Sequence, residues 1–566
     1  MQKSKIANIL LVTSLLCSSA AYAQANRLPG VVDKKSDKIK IPKGHGLKDK
    51  RSEPLKAKPA LKKSSDEIVL KKLNNVIFSG NTVISSGELQ AVVSPYIGKA
   101  LSKESLAKMK YDVTSYFYDR GYILIRVVTP PQNIKNGVVN LKIHEASIGD
   151  IKITKNAKLN DRVINGITKR IALGTVFQEK ESETVISDLN DIQNIQASIN
   201  LQPGKEFKTT DINIILNEAD EDTHNITFDT YGSELTGKRV ATVHLEKGNM
   251  LGQGEVLSAD LRKSDGSLWS VLFSAVTPTG VGNVNLETSY LHSENEIGDR
   301  LANLNAEGKS DIGNIALSSN FLNTIKYKST GKFGLELRNH ESRIGIPDAT
   351  DTKDAIRQLY VDANFLQSSP ESIYYVSGRL IKGVDILGAS EDYRGTIANG
   401  SFASRAGGDP KAWIFRPTVL TNLKVAENGN FRFQATGQIS SNKLLSSDLF
   451  VLGGYGSVRG YEPAFETGEE GFSFTAEYNH DFSVNADWSL SAGPFLDGGA
   501  VFNKANIGIN DSHIYSVGLG AEFVTSSFNE ENLTFRFDWA HPIGNYNDPA
   551  GIIDDDRFYF RLSQDF

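Results

Sequence analysis

The alternation of apolar and polar residues from position 224 to the C-terminus constrains the fold more than any other feature of this 566-residue chain. A period of two is typical of a β-strand with one apolar and one polar face. The clearest alternations set Leu533, Phe535, Phe537 and Trp539 against Thr534, Arg536 and Asp538, and Phe472, Phe474, Ala476 and Tyr478 against Ser473, Thr475, Glu477 and Asn479. The pattern predicts a large antiparallel β-structure over residues 219–566.

A soluble β-sandwich and a membrane barrel both produce this alternation. Three features favour the barrel: the length of the segment, the aromatic residues on its apolar faces, and an N-terminal secretory signal. At roughly 22 residues for a strand and its connection, the segment predicts a transmembrane barrel of about 16 antiparallel strands. The last strand places Phe558, Phe560, Leu562 and Phe566 on one face, and such barrels use an aromatic residue as their final position.

Residues 1–23 are predicted to be a signal peptide. Lys3 and Lys5 precede an apolar stretch, and Ala21-Tyr22-Ala23 is a small-x-small cleavage site. Cys17 is the one cysteine of the chain, and the bulky Leu16 before it argues against a lipoprotein. The mature chain would therefore have no cysteine, which excludes disulfides and thiolate metal sites. The signal is typical of a bacterial envelope protein.

Residues 24–65 are predicted to be a basic linker rich in proline and lysine. They contain 13 Lys or Arg against 4 Asp or Glu, and four prolines but no aromatic residue. Such a composition buries too little apolar surface to offset the entropy of ordering the chain. The rest of the mature chain carries a net charge of −16, so a basic arm precedes an acidic body.

Residues 66–145 and 146–218 share the predicted element order β-α-α-β-β. In the first repeat a strand ends before Gly80-Asn81, two short helical patterns follow, and the strands 123–128 and 138–143 flank Pro130-Pro131. An internal repeat of this kind indicates two small α/β domains. Two structural domains and two binding modules remain alternatives, because a fold does not by itself determine a function.

Enzyme signatures are absent from the sequence. Neither a Gly-x-Ser-x-Gly elbow nor a His-Glu-x-x-His pair occurs, and Gly308-Lys309-Ser310 lacks the upstream glycine of a phosphate loop, so we interpret it as a hairpin turn. The nine histidines are scattered, which is typical of surface or lumen residues. We therefore predict no enzymatic activity, no cofactor, no metal and no nucleic-acid partner.

One glycine-rich stretch, residues 453–461, ends in Val458-Arg459-Gly460-Tyr461. A hairpin loop would explain the glycines alone. The tetrapeptide resembles the signature of the haemolysin-activator family, the outer-membrane transporters of two-partner secretion. Phe495-x-Asp497-x-Gly499 is similar to the second barrel motif of that family, and the paired repeats resemble its two polypeptide-transport-associated (POTRA) domains. The resemblance covers nearly the whole mature chain.

This resemblance implies a 16-stranded barrel in the outer membrane of a Gram-negative bacterium, preceded by two periplasmic POTRA domains. A loop around residues 453–463 would fold into the lumen, where Arg459 would meet Asp497. Arginine suits such a contact because its planar fork matches a carboxylate in two hydrogen bonds. A solvated loop charge is the alternative for Arg459.

The function that the resemblance implies is export of one large, unfolded partner exoprotein of the haemolysin, adhesin or contact-dependent toxin type. The POTRA domains would capture the partner by strand addition to a sheet edge. The strand 123–128, with Ile123, Ile125 and Val127, is a candidate edge. Other expected partners are outer-membrane lipids and the barrel-assembly machinery, and the expected state is a monomer.

Three alternatives follow from the same residues. A barrel-assembly or insertion factor would normally contain more repeats than the two that fit before residue 224. A passive porin would need neither the repeats nor the 458–461 motif. The basic arm is either a plug segment inside the pore or a solvated spacer, and its four prolines disfavour a long helix.

Overall fold

A computed structural model describes residues 67–134, 136–345, 351–390, 402–483, 488–504, 511–528, 531–543 and 556–566. The described chain divides into two compact units, with the main boundary between Asp220 and Glu221. The predicted signal peptide, the basic linker and the plug segment all lie outside the described residues.

The N-terminal unit begins with an α/β fold whose three-stranded sheet is packed against two helices. Its elements are β1 (Ile68–Leu70), β2 (Asn75–Ser79), α1 (Ser86–Val93), β3 (Leu101–Ser102), α2 (Lys103–Tyr118), β4 (Ile125–Val128) and β5 (Val138–Glu145). The central strand β5 is parallel to β2 and antiparallel to β4. The short strands β1 and β3 pair separately, which the sequence does not predict because each is only two or three residues long.

Both helices of this fold begin at serine caps. Ser85 and Glu88 form a capping box at α1, and Ser102 caps α2 together with Ser105. Apolar side chains at helical spacing then face the central strand. The buried core contains Leu89, Val93, Met109, Val113, Phe117, Val139, Leu141 and Ile143. No helix among the described residues is both long enough and apolar enough to span a bilayer.

A second α/β fold repeats this arrangement. Its elements are β6 (Ser147–Asn156), α3 (Asp161–Thr168), α4 (Glu179–Asn190), β7 (Ile195–Pro203) and β8 (Thr209–Glu218). The central strand β8 is parallel to β6 and antiparallel to β7. The central strand β5 of the first sheet has the same relation to β2 and β4. The structure thus has the predicted element order twice, with the short strands β1 and β3 added in the first fold.

The C-terminal unit is a β-barrel with a small internal hairpin. Its strands are β9 (Thr223–Asp229), β10 (Val240–Gly248), β11 (Val256–Ser264), β12 (Trp269–Pro278), β13 (Val284–Glu296), β14 (Ala306–Asn323), β15 (Tyr327–Ile344), β16 (Thr352–Ser368), β17 (Ser372–Gly383), β18 (Trp413–Ala426), β19 (Gly429–Ser440), β20 (Phe450–Leu452), β21 (Glu466–Gly468), β22 (Glu470–Ser483), β23 (Trp488–Phe502), β24 (Ser512–Phe528), β25 (Glu531–Ile543) and β26 (Arg557–Asp565). All except β20 and β21 form one closed barrel, in which β26 pairs with β9. The prediction of about 16 antiparallel strands is confirmed.

Alternation along each strand separates the two faces of the barrel wall. On β25, Thr534, Arg536 and Asp538 are buried and face the interior, whereas Phe537 is exposed on the outside. On the last strand, Phe558 points outward and is 75% exposed. An apolar exterior and a polar interior are what a membrane barrel requires.

The last strand closes the barrel by pairing with the first strand. We call the end at which β9 begins and β26 finishes the near end, and the opposite end the far end. Beyond the β9–β26 ladder, the Phe566 amide donates to the His224 carbonyl oxygen at 3.1 Å. The terminal aromatic residue therefore extends the pairing at the near end.

The interpretation of Gly308-Lys309-Ser310 as a hairpin turn was wrong. These residues lie within β14, paired on one side with β13 and on the other with β15. The Ser310 hydroxyl is 2.6 Å from Nδ1 of His340 on the neighbouring strand. A glycine is only a local turn signal, and here strand pairing on both sides outweighs it.

Candidate functional site

The chain between β19 and β22 turns back into the barrel interior from the far end. Its arms β20 and β21 pair antiparallel, and residues 453–463, called here the inner loop, join them. Gly453 has a φ of +99°, and a Cβ there would lie 2.4 Å from the Glu462 carbonyl oxygen, so this turn requires glycine. The Ser457 hydroxyl closes the turn through bonds of 2.9 and 3.1 Å to the amide and carbonyl of Gly453.

Val458 and Tyr461 attach the inner loop to the barrel wall through apolar contacts. Both are buried in one cluster with Leu452, Val501 and Ile514. The Tyr461 hydroxyl also donates to the Tyr515 carbonyl oxygen at 3.0 Å. These contacts place the loop against β23 and β24, with Arg459 between the two anchoring side chains.

Arg459 forms a bidentate salt bridge with Asp497 on β23. Its Nε and Nη2 donate to the two carboxylate oxygens at 2.7 and 2.9 Å, and its backbone amide adds a third bond of 3.1 Å. Arg459 is only 4% exposed and Asp497 is fully buried. The guanidinium carbon also lies 3.2 Å from the centroid of the Phe495 ring, a cation–π contact.

The spacing of Phe495, Asp497 and Gly499 puts all three on the inner face of β23, because side chains alternate along a strand. The first two contact Arg459 directly. A Cβ at Gly499 would lie 2.6 Å from the Phe472 carbonyl oxygen and 2.7 Å from Cδ2 of Leu452. The missing side chain therefore leaves room for the β20 arm to lie on the wall.

Further charged residues complete the surroundings of Arg459. Its Nη1 donates to Asp538 on β25 at 3.1 Å and to Glu477 on β22 at 3.4 Å. Arg536 bonds the same two acidic residues, with Nη2 at 2.9 Å from Asp538 and 3.1 Å from Glu477. Three buried carboxylates thus share hydrogen bonds with two guanidinium groups. Such a cluster is stable only while every charge keeps its partners.

Sequence reasoning did not single out Glu477, Arg536 and Asp538 as functional residues. Alternation places each on the polar face of its strand. It does not show that they meet Asp497, because that depends on the register of neighbouring strands. Knowing which residues of β22, β23, β24 and β25 pair with one another would have shown that these side chains meet.

Both ends of the chain between β19 and β22 have their own buried ion pairs. Before β20, Asp448 accepts from Nη2 of Arg338 at 2.6 Å and from Nε2 of Gln358 at 3.0 Å. After β21, the fully buried Glu469 accepts from Nη1 of Arg405 at 2.7 Å. The inner loop is therefore held at its tip and at the base of each arm.

The residues predicted to bind a partner lie at the edge of the first sheet. β4 has one strand neighbour, β5, among the described residues. The side chains of Ile125 and Val127 pack against the core of the first α/β fold, while Ile123 is buried in the core of the second. The main chain of this edge is therefore better placed for contact than the predicted side chains.

Comparison with known proteins identifies the family. The model described as haemolysin secretion/activation protein ShlB/FhaC/HecB matches residues 208–523. This chain belongs to that family. A second model, the ShlB-type POTRA domain, matches residues 72–146 and so covers the first α/β fold.

Named relatives and a solved structure agree with this assignment. The Heme/hemopexin transporter protein HuxB of Haemophilus influenzae (strain 86-028NP) is 21% identical, with 86% of this chain and 85% of HuxB aligned. The outer membrane transporter CdiB of Dickeya dadantii (strain 3937) is 22% identical over 80% of each chain. The structure of CdiB from Escherichia coli superimposes with a TM-score of 0.73 at 19% identity, covering 91% of this chain and 94% of that one, which shows the shared fold.

The protein is an outer-membrane transporter of the two-partner secretion type, with its N-terminal POTRA region in the periplasm. Membership of the family implies a secreted partner protein. Because β9 follows the periplasmic region along the chain, the near end of the barrel is periplasmic and the far end is extracellular. The inner loop thus enters the lumen from the extracellular end.

Proposed function

We propose that this transporter exports its unfolded partner through the barrel lumen, and that the inner loop must stay docked on the wall during export. The observation that carries the proposal is the buried contact of Arg459 with Asp497, Glu477 and Asp538. A solvated loop charge would make none of these contacts. Their number and burial indicate that the chain is built to hold the loop in one position.

The energetic consequence supports a docked loop. Removing one partner from a buried ion pair typically costs about 3–5 kcal/mol, mainly because the remaining charge is stranded. Undocking would remove the hydrogen bonds that Asp497 accepts from Arg459, and Glu477 and Asp538 would keep Arg536 but lose their second guanidinium partner. The docked position is therefore the stable one, and the partner would pass beside the inner loop.

We further propose that residues 146–218 form a second POTRA domain within the boundaries that the sequence predicts. Its sheet has the same strand order and directions as the sheet of the first α/β fold. Capture of the partner would use the free edge of β4, since main-chain hydrogen bonds tolerate many sequences. The opposite edge is less available, because the Gln90 side chain already donates to the Val76 carbonyl oxygen of β2.

The proposed partner is one large exoprotein of the haemolysin, adhesin or contact-dependent toxin type, and the description of the family supports the first of these. Folding of the partner outside the cell would supply the direction of transport. Contact with outer-membrane lipids, insertion by the barrel-assembly machinery, the monomeric state and the absence of enzymatic activity remain predictions.

Export through the barrel lumen, called here the lumen route, is tested by photo-crosslinking. The partner carries a folded C-terminal tag that arrests it in transit. Thr242 and Leu245 both lie on β10, and Thr242 is buried on the inner face while Leu245 is exposed on the outer face. A photoreactive residue at Thr242 should give a covalent adduct with the partner, and the same residue at Leu245 should give none. Equal adducts at both positions, or none at Thr242, would contradict the lumen route.

The same arrested complex tests capture at the sheet edge. The exposed Arg126 lies on β4, and the exposed Ile77 lies on the opposite edge strand β2. A photoreactive residue at Arg126 should react with the partner's N-terminal secretion domain more strongly than one at Ile77. The reverse preference would assign capture to β2.

A further inference from the structure

The junction between the first and last barrel strands is the shortest junction in the described barrel. β9 and β26 share five register pairs, from Asp229–Arg561 to Asn225–Asp565, while the adjoining junctions β9–β10 and β25–β26 have seven and eight. On the extracellular side, the Thr230 amide adds one bond to the Phe560 carbonyl oxygen at 3.0 Å. Beyond that point, residues 557–559 pair with β25 but have no register partner on β9 among the described residues.

The inner loop contacts side chains of both strands next to the point where this ladder ends. The ring of Tyr455 stacks on Tyr231, just after β9, with centroids 3.6 Å apart. The same ring lies edge-on to Tyr559 of β26 at 5.6 Å. The Gly460 amide also donates to the Tyr559 hydroxyl oxygen at 2.9 Å. One loop thus packs against both edges of the junction.

Glu462 binds the two edges through a single carboxylate. On the β9 side, its Oε2 accepts from the Ser233 hydroxyl at 3.2 Å and from the Glu234 amide at 3.3 Å. On the β26 side, its Oε1 accepts from Nη2 of Arg557. The side chain is only 8% exposed, so these charge-assisted bonds are shielded from water.

We propose that the inner loop closes the extracellular part of the junction between the first and last strands, with Glu462 as the positioning residue that binds both edges. The loop then has a structural task in the wall, separate from its position beside the export path. Withdrawing it would remove the Glu462 and Tyr455 contacts that link the two strands beyond their ladder, and an unlinked strand edge is unfavourable in a membrane barrel. Docking of the loop and closure of the wall are therefore one coupled equilibrium.

Amide hydrogen exchange of the purified full chain tests this proposal without any export assay, so its outcome is independent of the lumen route. Glu462→Gln keeps the size of the side chain but removes the charge that Arg557 and the β9 edge bind. Exchange at residues 557–560 and 230–234 should accelerate about tenfold, since hydrogen bonds to a charged group are lost. Residues 561–565, and strands β14 and β15, should exchange as in the wild type.

Two further variants sharpen the result. Asp385→Asn makes the same chemical change at an exposed carboxylate, 2.8 Å from Lys411, and should leave exchange at the junction unchanged. Ser233→Ala removes a bond only on the β9 side, so it should accelerate exchange at residues 230–234 more than at 557–560. Unchanged exchange at both edges in Glu462→Gln and Glu462→Ala would overturn the proposal. Acceleration that extends equally to β14 and β15 would also overturn it, because Glu462 would then stabilise the whole barrel.

Discussion

Replacing Arg459 by alanine should reduce export of the partner at least tenfold while the barrel still assembles in the outer membrane. The substitution removes every side-chain donor that the inner loop offers to Asp497, Glu477 and Asp538. A loss of about 3–5 kcal/mol corresponds to a docking equilibrium shifted by roughly a hundredfold to several thousandfold. The measurement is the amount of partner in the culture medium, divided by the amount of folded barrel in the outer membrane. The folded barrel is quantified by the change in its gel mobility on heating.

Two control variants separate the loop contact from general effects of charge. Arg343→Ala removes an arginine whose side chain is 66% exposed, and surface ion pairs contribute only about 0–1 kcal/mol, so export should persist. Arg459→Lys keeps the charge but loses the planar fork, so export should be intermediate. If Arg459→Ala lowers the amount of barrel, the double variant Arg459→Ala/Asp497→Asn removes one stranded charge and should restore the barrel but not export. Normal export by Arg459→Ala would contradict the role given to this contact.

Replacing Gly499 by alanine should also impair export, although no charge changes. The new Cβ would lie 2.6 Å from a backbone oxygen of β22 and 2.7 Å from the Leu452 side chain of the β20 arm. Overpacking of this kind typically costs about 1–3 kcal/mol. The β20 arm pairs only with β21, over three residues, whereas β22 pairs with a strand on each side, so the strain should displace the inner loop rather than the wall. Export should fall by roughly fivefold to a hundredfold at that cost.

A matched glycine provides the control for this substitution. Gly313 lies within β14, and a Cβ there would meet nothing within 4 Å. Gly313→Ala should therefore export as the wild type does, when both variants are compared at equal barrel levels. Equal export by the two variants would show that the space at Gly499 does not serve the inner loop.

Much of the fold follows from patterns that a single strand or helix carries by itself. Period-two alternation places Arg536 inside and Phe537 outside without any knowledge of neighbouring strands. Helical spacing indicates two helices after the first strand, but it does not give their first residues, which the caps Ser85 and Ser102 set. The predicted strand at 123–128 begins later, at Ile125, because the preceding Ile123 is buried in the core of the second α/β fold.

The candidate site could be predicted only in part. The resemblance named Arg459 and Asp497, and the structure places them in contact. Glu477 and Asp538 join them from two other strands, and Glu462 reaches Ser233 and Arg557 across 229 and 95 positions of the chain. Such contacts depend on strand register and on how the loop folds back, which no local pattern encodes.

A disulfide between the inner loop and the wall tests most directly whether the docked loop is the export-competent one. A Cβ at Gly460 would lie 3.5 Å from Cβ of Ser516, within the range for a disulfide. The one natural cysteine, Cys17, lies in the predicted signal peptide. Single-cysteine variants control for the left-handed φ of +93° at Gly460. The oxidised Gly460→Cys/Ser516→Cys protein should export the partner as well as its reduced form does. Export that stops on oxidation and returns on reduction would show that the loop must leave the wall, and would contradict this account.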